Sequence, residues 1–299
     1  MKLQVPSDRG SLSVEAGMYE TFYGFREKPF HVTADPSFLY PSRQHQEALA
    51  HLLYGIRERL GFLLITGEVG TGKTTLCKAV LNELRGPART ALILQPTLSP
   101  AQLLRAILRD LGQEMARGSR GELLQAIERF VIQQAESDHT CVVILDEAQG
   151  LSAASLEQVR LLSNVETQKA KLLQIVLIGQ PELSQRLSAD HRLRALDQRI
   201  AVRYHIQPLD EPEVSAYIQH RLRIAGAPAE VRFTDAATAL IARSSGGVPR
   251  RINLLCDQAL LAGFVKETRT IDESLVLRAC AVVTADPQPS PVVEVSHLN

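Results

Sequence analysis

The chain has 299 residues, 45% of them apolar, so it can bury one large core or two small ones. Its 33 basic and 33 acidic residues give a net charge of zero, which argues against a protein that coats DNA through charge alone but leaves a local basic patch open. The 4 cysteines form no CxxC pair and no apolar run is long enough to cross a membrane, so we expect a cytoplasmic protein without disulfides or a zinc site.

The first 43 residues divide into two predicted segments. Residues 1–17 are polar, and we expect a disordered tail. Residues 18–43 hold half of the 8 phenylalanines together with several prolines, a composition too apolar for a free linker and too interrupted for a helix. We therefore predict an ordered strap that lies against the following domain.

Residues 44–208 alternate between helical and short apolar segments. The stretch RQHQEALAHLLYGIRERL predicts an amphipathic helix with Leu49, Leu52, Leu53 and Ile56 on one face. Five strands are predicted, namely FLLIT, TALILQ, CVVILDEAQ, KLLQIVLIGQ and AVRYHIQPL. Helices separate them, so the fold class is α/β, with a parallel sheet covered by helices.

The strand pattern stops after Pro208. Residues 209–283 predict four helices and hence a small, all-helical lid domain. Asp210 and Thr234 are the expected N-caps, and Gly226 and Gly246 the expected stops. Residues 284–299 are proline-rich, and we expect a second disordered tail.

The stretch GEVGTGKTT follows the first predicted strand and opens a predicted helix. This is the spacing and context of a P-loop, in which backbone N–H groups and a helix N-terminus surround phosphates. Lys73 is expected at the β- and γ-phosphates of ATP, and Thr74 at Mg²⁺. The alternative is a turn without a ligand, which would leave a buried lysine without an anion. The residues expected to contact the nucleotide are Gly67, Glu68, Val69, Gly70, Thr71, Gly72, Lys73, Thr74 and Thr75.

Two carboxylates end the strand CVVILDEAQ, at the sheet edge where α/β proteins bind ligands. Asp146 is the expected outer ligand of Mg²⁺. Glu147 points elsewhere and is expected to activate a water for attack on the γ-phosphate. The alternative is a surface pair that caps the next helix. Together with the P-loop, the pair indicates an enzyme that splits water rather than one that needs an acceptor site.

Several further polar residues are candidates for the same site. Gln180 ends the strand QIVLIGQ, where it either contacts the γ-phosphate and the attacking water or is a simple strand-end residue. Arg192, Arg194 and Arg199 precede the last strand, and we favour Arg199 as an arginine that enters a neighbouring subunit's site. The alternative is a solvated basic helix face. Arg250 follows Pro249 at the start of a lid helix and is expected over the phosphates, with capping and surface charge as the alternative.

These residues resemble the motifs of AAA+ ATPases, and more narrowly those of the ExeA-type, or general secretion pathway protein A, family. The resemblance spans residues 18–283 and rests on FREKPF…ADPSFLY, GEVGTGKTT, LDEAQ, LIGQPEL and GGVPRRIN. It implies Walker A and Walker B roles for the residues above, with Gln180 at the sensor 1 position, where many relatives carry Asn or Thr. It also implies that Arg199 lies in the arginine-finger region, that Arg250 is the second sensor, and that strap residues lie near the adenine.

The resemblance implies an oligomeric ATPase that powers or gates assembly of a cell-envelope machine for secretion, pili or exopolysaccharide, with a protein partner and attachment at the inner membrane as an option. Longer family members carry a membrane span and a peptidoglycan-binding region, and we do not expect wall binding here. The alternative is an ATP-dependent DNA-binding transposition helper, because related proteins with similar DEAQ motifs serve transposases. Zero net charge favours the first reading. A nucleotide kinase is disfavoured by Glu147 and the lid arginines.

Overall fold

A computed structural model describes residues 18–31, 36–38, 40–94, 97–113, 117–166 and 170–285. The tail predicted for residues 1–17 lies outside these ranges. Residues 286–299, which belong to the second predicted tail, lie outside them as well. Residues 284 and 285, which were assigned to that tail, instead end the last helix of the chain.

A five-stranded sheet forms the centre of the first two thirds of the chain, as the strand pattern predicts. Its strands are β1 (Phe62–Gly67), β2 (Ala88–Ile93), β3 (Thr140–Leu145), β4 (Leu173–Gly179) and β5 (Ile200–Ile206). They lie in the order β2-β3-β4-β1-β5, and each neighbouring pair is parallel. All five carboxyl ends therefore meet at one edge, where β1 leads into the glycine loop and β3 into the carboxylate pair.

Helices cover both faces of this sheet. They are α2 (Arg43–Arg57), α3 (Lys73–Glu83), α4 (Pro100–Asp110), α5 (Arg120–Glu136), α6 (Ala153–Leu162), α7 (Pro181–Ala189) and α8 (Arg194–Asp197). Alternate side chains of β1 enter opposite cores: Leu64 packs with residues of α4 and α5, and Leu63 with residues of α2 and α3. This two-sided burial explains why the three central strands, β1, β3 and β4, are almost continuously apolar, whereas the edge strands β2 and β5 also carry exposed polar residues. The sequence analysis did not predict the helix α7.

A helical unit follows β5 and contains the four predicted helices. They are α9 (Glu211–Ile224), α10 (Asp235–Ser245), α11 (Pro249–Val265) and α12 (Glu273–Ala285). Asp210 caps α9 in a capping box with Glu213, and Thr234 caps α10, as expected. The unit is not entirely helical, because Arg232–Phe233 and Thr270–Ile271 pair as two short parallel strands, β6 and β7. Segments of two residues are too short to carry a sequence pattern.

The N-terminal segment differs from the predicted strap in two respects. Met18–Tyr23 forms a short helix, α1, because the prolines of the segment all come later in the chain. The segment also packs on both units: its first residues lie on the lid, and the turn Pro36–Phe38 contacts α3 of the sheet domain and α9 of the lid. The Tyr23 hydroxyl donates to the carbonyl of Leu260 at 2.9 Å, and the Tyr19 hydroxyl to Oδ1 of Asp257 at 2.5 Å. From Met18 onward, the described part of the segment thus starts on the lid and reaches the sheet domain before α2.

None of the helices in the described part of the chain combines the length and the apolarity needed to cross a bilayer.

Candidate nucleotide site

The glycine loop connects the end of β1 to the start of α3 and needs glycine for two reasons. Gly70 and Gly72 have φ angles of 86° and 92°, in the left-handed region that other residues rarely adopt. A Cβ atom at Gly72 would lie 2.9 Å from Nε2 of His45, and one at Gly70 would lie 2.5 Å from Cβ of Arg250. The backbone of the loop at Gly70 and Gly72 therefore lies where no side chain would fit, as in loops whose backbone N–H groups bind phosphate.

Lys73 is the buried cation of this loop, with only 5% of its surface exposed. Its Nζ donates to the carbonyls of Gly67 and Glu68, each at 2.8 Å. Burial lowers the pKa of the Lys73 ammonium, against an opposing effect of the carboxylates of Glu147 and Asp146. A desolvated ammonium held by carbonyl oxygens fits a site whose ligand supplies negative charge.

Thr74 and Asp146 lie in direct contact, as a shared metal site requires. The Thr74 hydroxyl donates to Oδ2 of Asp146 at 2.7 Å, and the backbone N–H of Glu147 donates to Oδ1 of Asp146 at 2.9 Å. Asp146 is 2% exposed, and burial raises the pKa of its carboxyl. A hydroxyl and a carboxylate are oxygen donors of the kind that Mg²⁺ takes, so these residues fit the ion.

Glu147 occupies an unusual backbone position beside this pair. Its φ and ψ of 53° and 36° place a non-glycine residue in the left-handed region, a strain that proteins concentrate at functional sites. Two side-chain amides hold its carboxylate: Gln149 donates to Oε2 at short range, and Gln180 donates to the same oxygen at 3.4 Å. The structure thus brings Gln180 to Glu147, and the predicted contact of Gln180 with the γ-phosphate or the attacking water stays a prediction.

Gln149 is a site residue that the sequence reasoning did not assign. Besides holding Glu147, its Oε1 accepts the backbone N–H of Gln180 at 3.1 Å. It therefore ties the turn after β3 to the start of α7. Arg186 supports the same turn by donating to the carbonyls of Gln149 and Leu151. The available signal was the position of Gln149 in LDEAQ, three residues beyond Asp146.

The lid reaches the glycine loop through the first turn of α11. The backbone N–H of Arg250 donates to the carbonyl of Gly70 at 3.2 Å, and Pro249 and Arg250 both line the cavity above the loop. The structure therefore brings Arg250 to the glycine loop, and its contact with the phosphates stays a prediction.

Arg199 lies at the opposite end of the sheet. Ile200, the next residue, pairs with Phe62 at the start of β1, whereas the loop follows the end of that strand. At about 3.3 Å per residue along β1, Arg199 is roughly 15–20 Å from the loop of its own chain. Its Nη1 donates to the side chains of Ser163 and Asn164. Arg199 thus has no part in its own chain's phosphate site, and an action on a neighbouring copy stays a prediction.

One cavity of about 230 Å³ unites these groups. Its walls come from the glycine loop, the N-terminal segment and the lid. The lining residues outside the loop are Phe38, Tyr40, His45, Glu147, Leu209, Tyr217, Arg221, Pro249, Arg250 and Asn253. Phe38 and Tyr40 of the predicted strap line this cavity, and their contact with a base stays a prediction. No sequence pattern indicated His45, Tyr217, Arg221 or Asn253.

His45 supports the loop from below. Its Nε2 lies 2.9 Å from the carbonyl of Thr71, and its Nδ1 lies 2.6 Å from the hydroxyl of Ser42, the N-cap of α2. Burial lowers the pKa of the His45 imidazole. A neutral ring satisfies both contacts when Nε2–H donates to Thr71 and Nδ1 accepts from Ser42.

Comparison with known proteins identifies the domain that carries this site. An AAA-domain family profile matches residues 56–187. The chain is 45% identical over 255 residues to general secretion pathway protein A of Aeromonas hydrophila, a match that covers 85% of this chain and 46% of that protein. The chain therefore spans about half the length of this curated relative. The expected resemblance to general secretion pathway protein A is confirmed.

Solved structures share the fold at low sequence identity. Drosophila ORC bound to DNA matches with a TM-score of 0.68 and 21% identity, covering 96% of this chain and 71% of that one. Aeropyrum pernix ORC2 matches with a TM-score of 0.65 and 19% identity, covering 86% and 72%. The Thermotoga maritima RuvB branch migration motor matches with a TM-score of 0.56 and 21% identity, covering 82% and 70%. The predicted fold class, an AAA-type P-loop NTPase with a helical C-terminal region, is confirmed.

Proposed function

We propose that this AAA-domain chain, similar over most of its length to general secretion pathway protein A, binds ATP with Mg²⁺ and hydrolyses it. The observation that carries the proposal is the contact of 2.7 Å between Thr74 Oγ1 and Asp146 Oδ2, in the same site as the buried ammonium of Lys73 and the carboxylate of Glu147. In this proposal Lys73 supplies the positive charge that binds the phosphates, and Glu147 supplies the base. Thr74 and Asp146 supply the metal site, and the whole set suits phosphoryl transfer to water.

Binding of the phosphates falls to the loop and the lid. Lys73 would exchange the carbonyls of Gly67 and Glu68 for the β- and γ-phosphate oxygens, which compensate its charge. Arg250 would contact the phosphates from the lid side of the cavity. Thr74 and Asp146 would hold Mg²⁺, which when bound neutralises charge on the phosphates.

Proton transfer falls to Glu147. Its carboxylate accepts the proton of the attacking water, and the amides of Gln149 and Gln180, which donate to Oε2, fix the direction in which the carboxylate points. Both amides donate to one oxygen, so Oε1 is the oxygen that they leave open to a water. Glu147 and Lys73 lie against the same cavity, which brings the base close to the γ-phosphate position.

A neighbouring copy of the chain would complete the site. Arg199 is too far from its own loop to stabilise transition-state charge there, so a contribution in trans requires an oligomer. We infer that hydrolysis in this oligomer powers or gates assembly of a cell-envelope machine through a protein partner. The support for this biological role is the relative named general secretion pathway protein A, which the chain matches over half that protein's length.

Phosphate release and ATP affinity measured together test the catalytic proposal. We expect the parent protein to release phosphate from ATP only with Mg²⁺, and Lys73→Ala to lose tight ATP binding, because the phosphates lose their fixed cation. Lys266→Ala is the matched control, since Lys266 is exposed in the turn after α11. Unchanged ATP affinity in Lys73→Ala would remove the phosphate-loop assignment.

Duplex DNA added across a range of salt concentrations tests the biological role. We expect the same hydrolysis rate with and without DNA. A rate that depends on DNA and falls steeply with salt would instead support the DNA-binding transposition helper.

A further inference from the structure

Arg221 is a buried arginine in α9 that the mechanism above does not use. It is 5% exposed and lines the nucleotide cavity together with Phe38 and Tyr217. Its three hydrogen bonds end on neutral oxygens: Nε donates to the carbonyl of Pro29 at 2.5 Å, Nη1 to the Tyr217 hydroxyl at 3.0 Å, and Nη2 to the carbonyl of His31 at 3.3 Å. Two of the acceptors belong to the N-terminal segment, so the arginine fastens that segment to the lid.

The face of the same guanidinium supports the wall of the cavity. It lies 4.7 Å from the ring centroid of Phe38, the distance of a cation–π contact. Phe38 is 3% exposed and lines the cavity, and Tyr40 follows it there. Arg221 therefore holds the backbone of the N-terminal segment through its N–H donors. It also holds the aromatic ring of Phe38, which lines the cavity.

A chain of hydrogen bonds connects this wall to the phosphate side. Tyr217 accepts from Arg221 and donates to Oδ1 of Asn253 at 2.8 Å, and Asn253 Nδ2 donates to the carbonyl of His31 at 3.4 Å. Asn253 lies three residues after Arg250 in α11, and residues at that spacing share a helix face. The wall that holds Phe38 is thus anchored to α11, the helix whose first turn carries Arg250.

We propose that Arg221 is a positioning residue that makes nucleotide binding at this site depend on the base. It holds Phe38 against the nucleobase, and the hydrogen bonds through Tyr217 and Asn253 anchor this wall of the cavity to α11. This inference rests on the proposed function, since it concerns the same cavity. A ligand with a triphosphate but no base has nothing to place against Phe38, and it gains nothing from Arg221.

The test compares ATP with inorganic tripolyphosphate, each with Mg²⁺, in a titration calorimeter. Arg221→Lys keeps the charge but removes the planar fork and its stacking. We expect its dissociation constant for ATP to rise roughly tenfold, the scale of one lost charge-assisted contact, while that for tripolyphosphate stays within about twofold. Arg223→Lys is the matched control, because Arg223 is exposed on the same helix and its side chain contacts His220.

Two further variants separate positioning from folding. Tyr217→Phe removes one acceptor of Arg221 and one donor to Asn253 but keeps the ring, and we expect a smaller loss of ATP affinity with tripolyphosphate again unaffected. Melting temperatures without ligand show whether Arg221→Lys and Tyr217→Phe are folded. Equal losses for both ligands, or no loss for ATP, in folded Arg221→Lys would overturn the inference while leaving the ATPase proposal intact. A parent protein that binds neither ligand through Lys73 would overturn both.

Discussion

The phosphate side and the base side of the cavity are built in different ways. On the phosphate side, Lys73 rests on the carbonyls of its own loop and Glu147 on the amide of Gln149, while Thr74 reaches Asp146 across 72 residues. On the base side, Arg221 joins positions separated by 192 residues in sequence. The charged groups of the phosphate side are those expected to bind a ligand, whereas Arg221 already has its partners within the protein.

The difference bears on what each side can do. Buried charges with temporary partners are costly in the ligand-free protein and become favourable when phosphate and metal arrive, so they can drive binding and chemistry. A network whose hydrogen bonds are already satisfied cannot gain much charge stabilisation from a ligand, but it can keep a wall in place. We therefore expect variants of the groups that act on the attacking water or the transition state to change the rate, a variant of Lys73 to lose ATP binding, and variants on the base side to change the affinity alone.

The largest effect is expected from Arg199, which lies far from the phosphate loop of its own chain and would act on the site of a neighbouring copy. Arg199→Ala should bind ATP nearly normally but hydrolyse it ~10³-fold more slowly, because an arginine supplied in trans stabilises transition-state charge. Steady-state rates at several protein concentrations measure this. Arg192→Ala is the control, since Arg192 is exposed and paired with Asp190. A full rate for Arg199→Ala at every concentration would shift the role to Arg194, which is also exposed, or to no arginine.

Glu147→Gln should lower the rate of hydrolysis by ~10² or more, the usual scale of a lost general base. The substitution keeps the shape of the side chain and removes the charge, so ATP and Mg²⁺ should remain bound. Single-turnover hydrolysis beside equilibrium ATP binding separates the two effects. Glu182→Gln, an exposed change in the first turn of α7, should leave both values at the parent level. Hydrolysis at the parent rate in Glu147→Gln would mean that another group activates the water.

Gln149→Ala should slow hydrolysis by roughly tenfold without changing ATP affinity, because it removes an orienting contact and not the base itself. Gln180→Ala should have a smaller effect, since its contact with Glu147 is longer, at 3.4 Å. The turnover numbers of both variants at saturating ATP test this order. Gln185→Ala, exposed on α7, serves as the control. The account is wrong about these amides if both variants turn over like the parent.

The smallest effect concerns His45, beneath the phosphate side. Burial lowers the folded-state pKa of this imidazole below 6.5, so its contribution to stability is full above that pH and is lost as the pH falls through the folded-state value. In His45→Gln, which retains an N–H donor for Thr71, that loss should be absent. Urea unfolding at about pH 7.5 and about pH 5.5 should therefore show a stability advantage of the parent that shrinks in acid. An advantage that is constant with pH would contradict the neutral, buried state of the ring.

The same contrast explains what the sequence could and could not predict. The central strands β1, β3 and β4 were predictable because burial on both faces makes them almost continuously apolar. The phosphate loop was predictable because its glycines and lysine act at fixed spacing. Gln149 was visible in LDEAQ, yet its role depends on a contact with Glu147 in a left-handed conformation that no pattern announces. Arg221 was invisible, because a basic residue in an amphipathic helix ordinarily faces solvent and only the tertiary fold brings Pro29 and His31 to it.

The N-terminal segment teaches a related lesson. Its composition indicated order but not the surface on which it lies, and it packs on the lid through Tyr19 and Tyr23. Prolines later in the segment suggested that no helix would form, although the first six residues contain none. The absence of proline in a short stretch is a weak signal, and here tertiary packing on α11 decides the outcome.

The measurement that tests the central claim most directly determines two values for two variants: the dissociation constant for ATP and the turnover number at saturating ATP, for Glu147→Gln and Arg221→Lys side by side. The account predicts opposite patterns. Glu147→Gln should keep its affinity and lose its turnover, while Arg221→Lys should lose its affinity and keep its turnover once saturated. If both variants change the same value and leave the other alone, the two sides of the cavity do not divide the work as proposed.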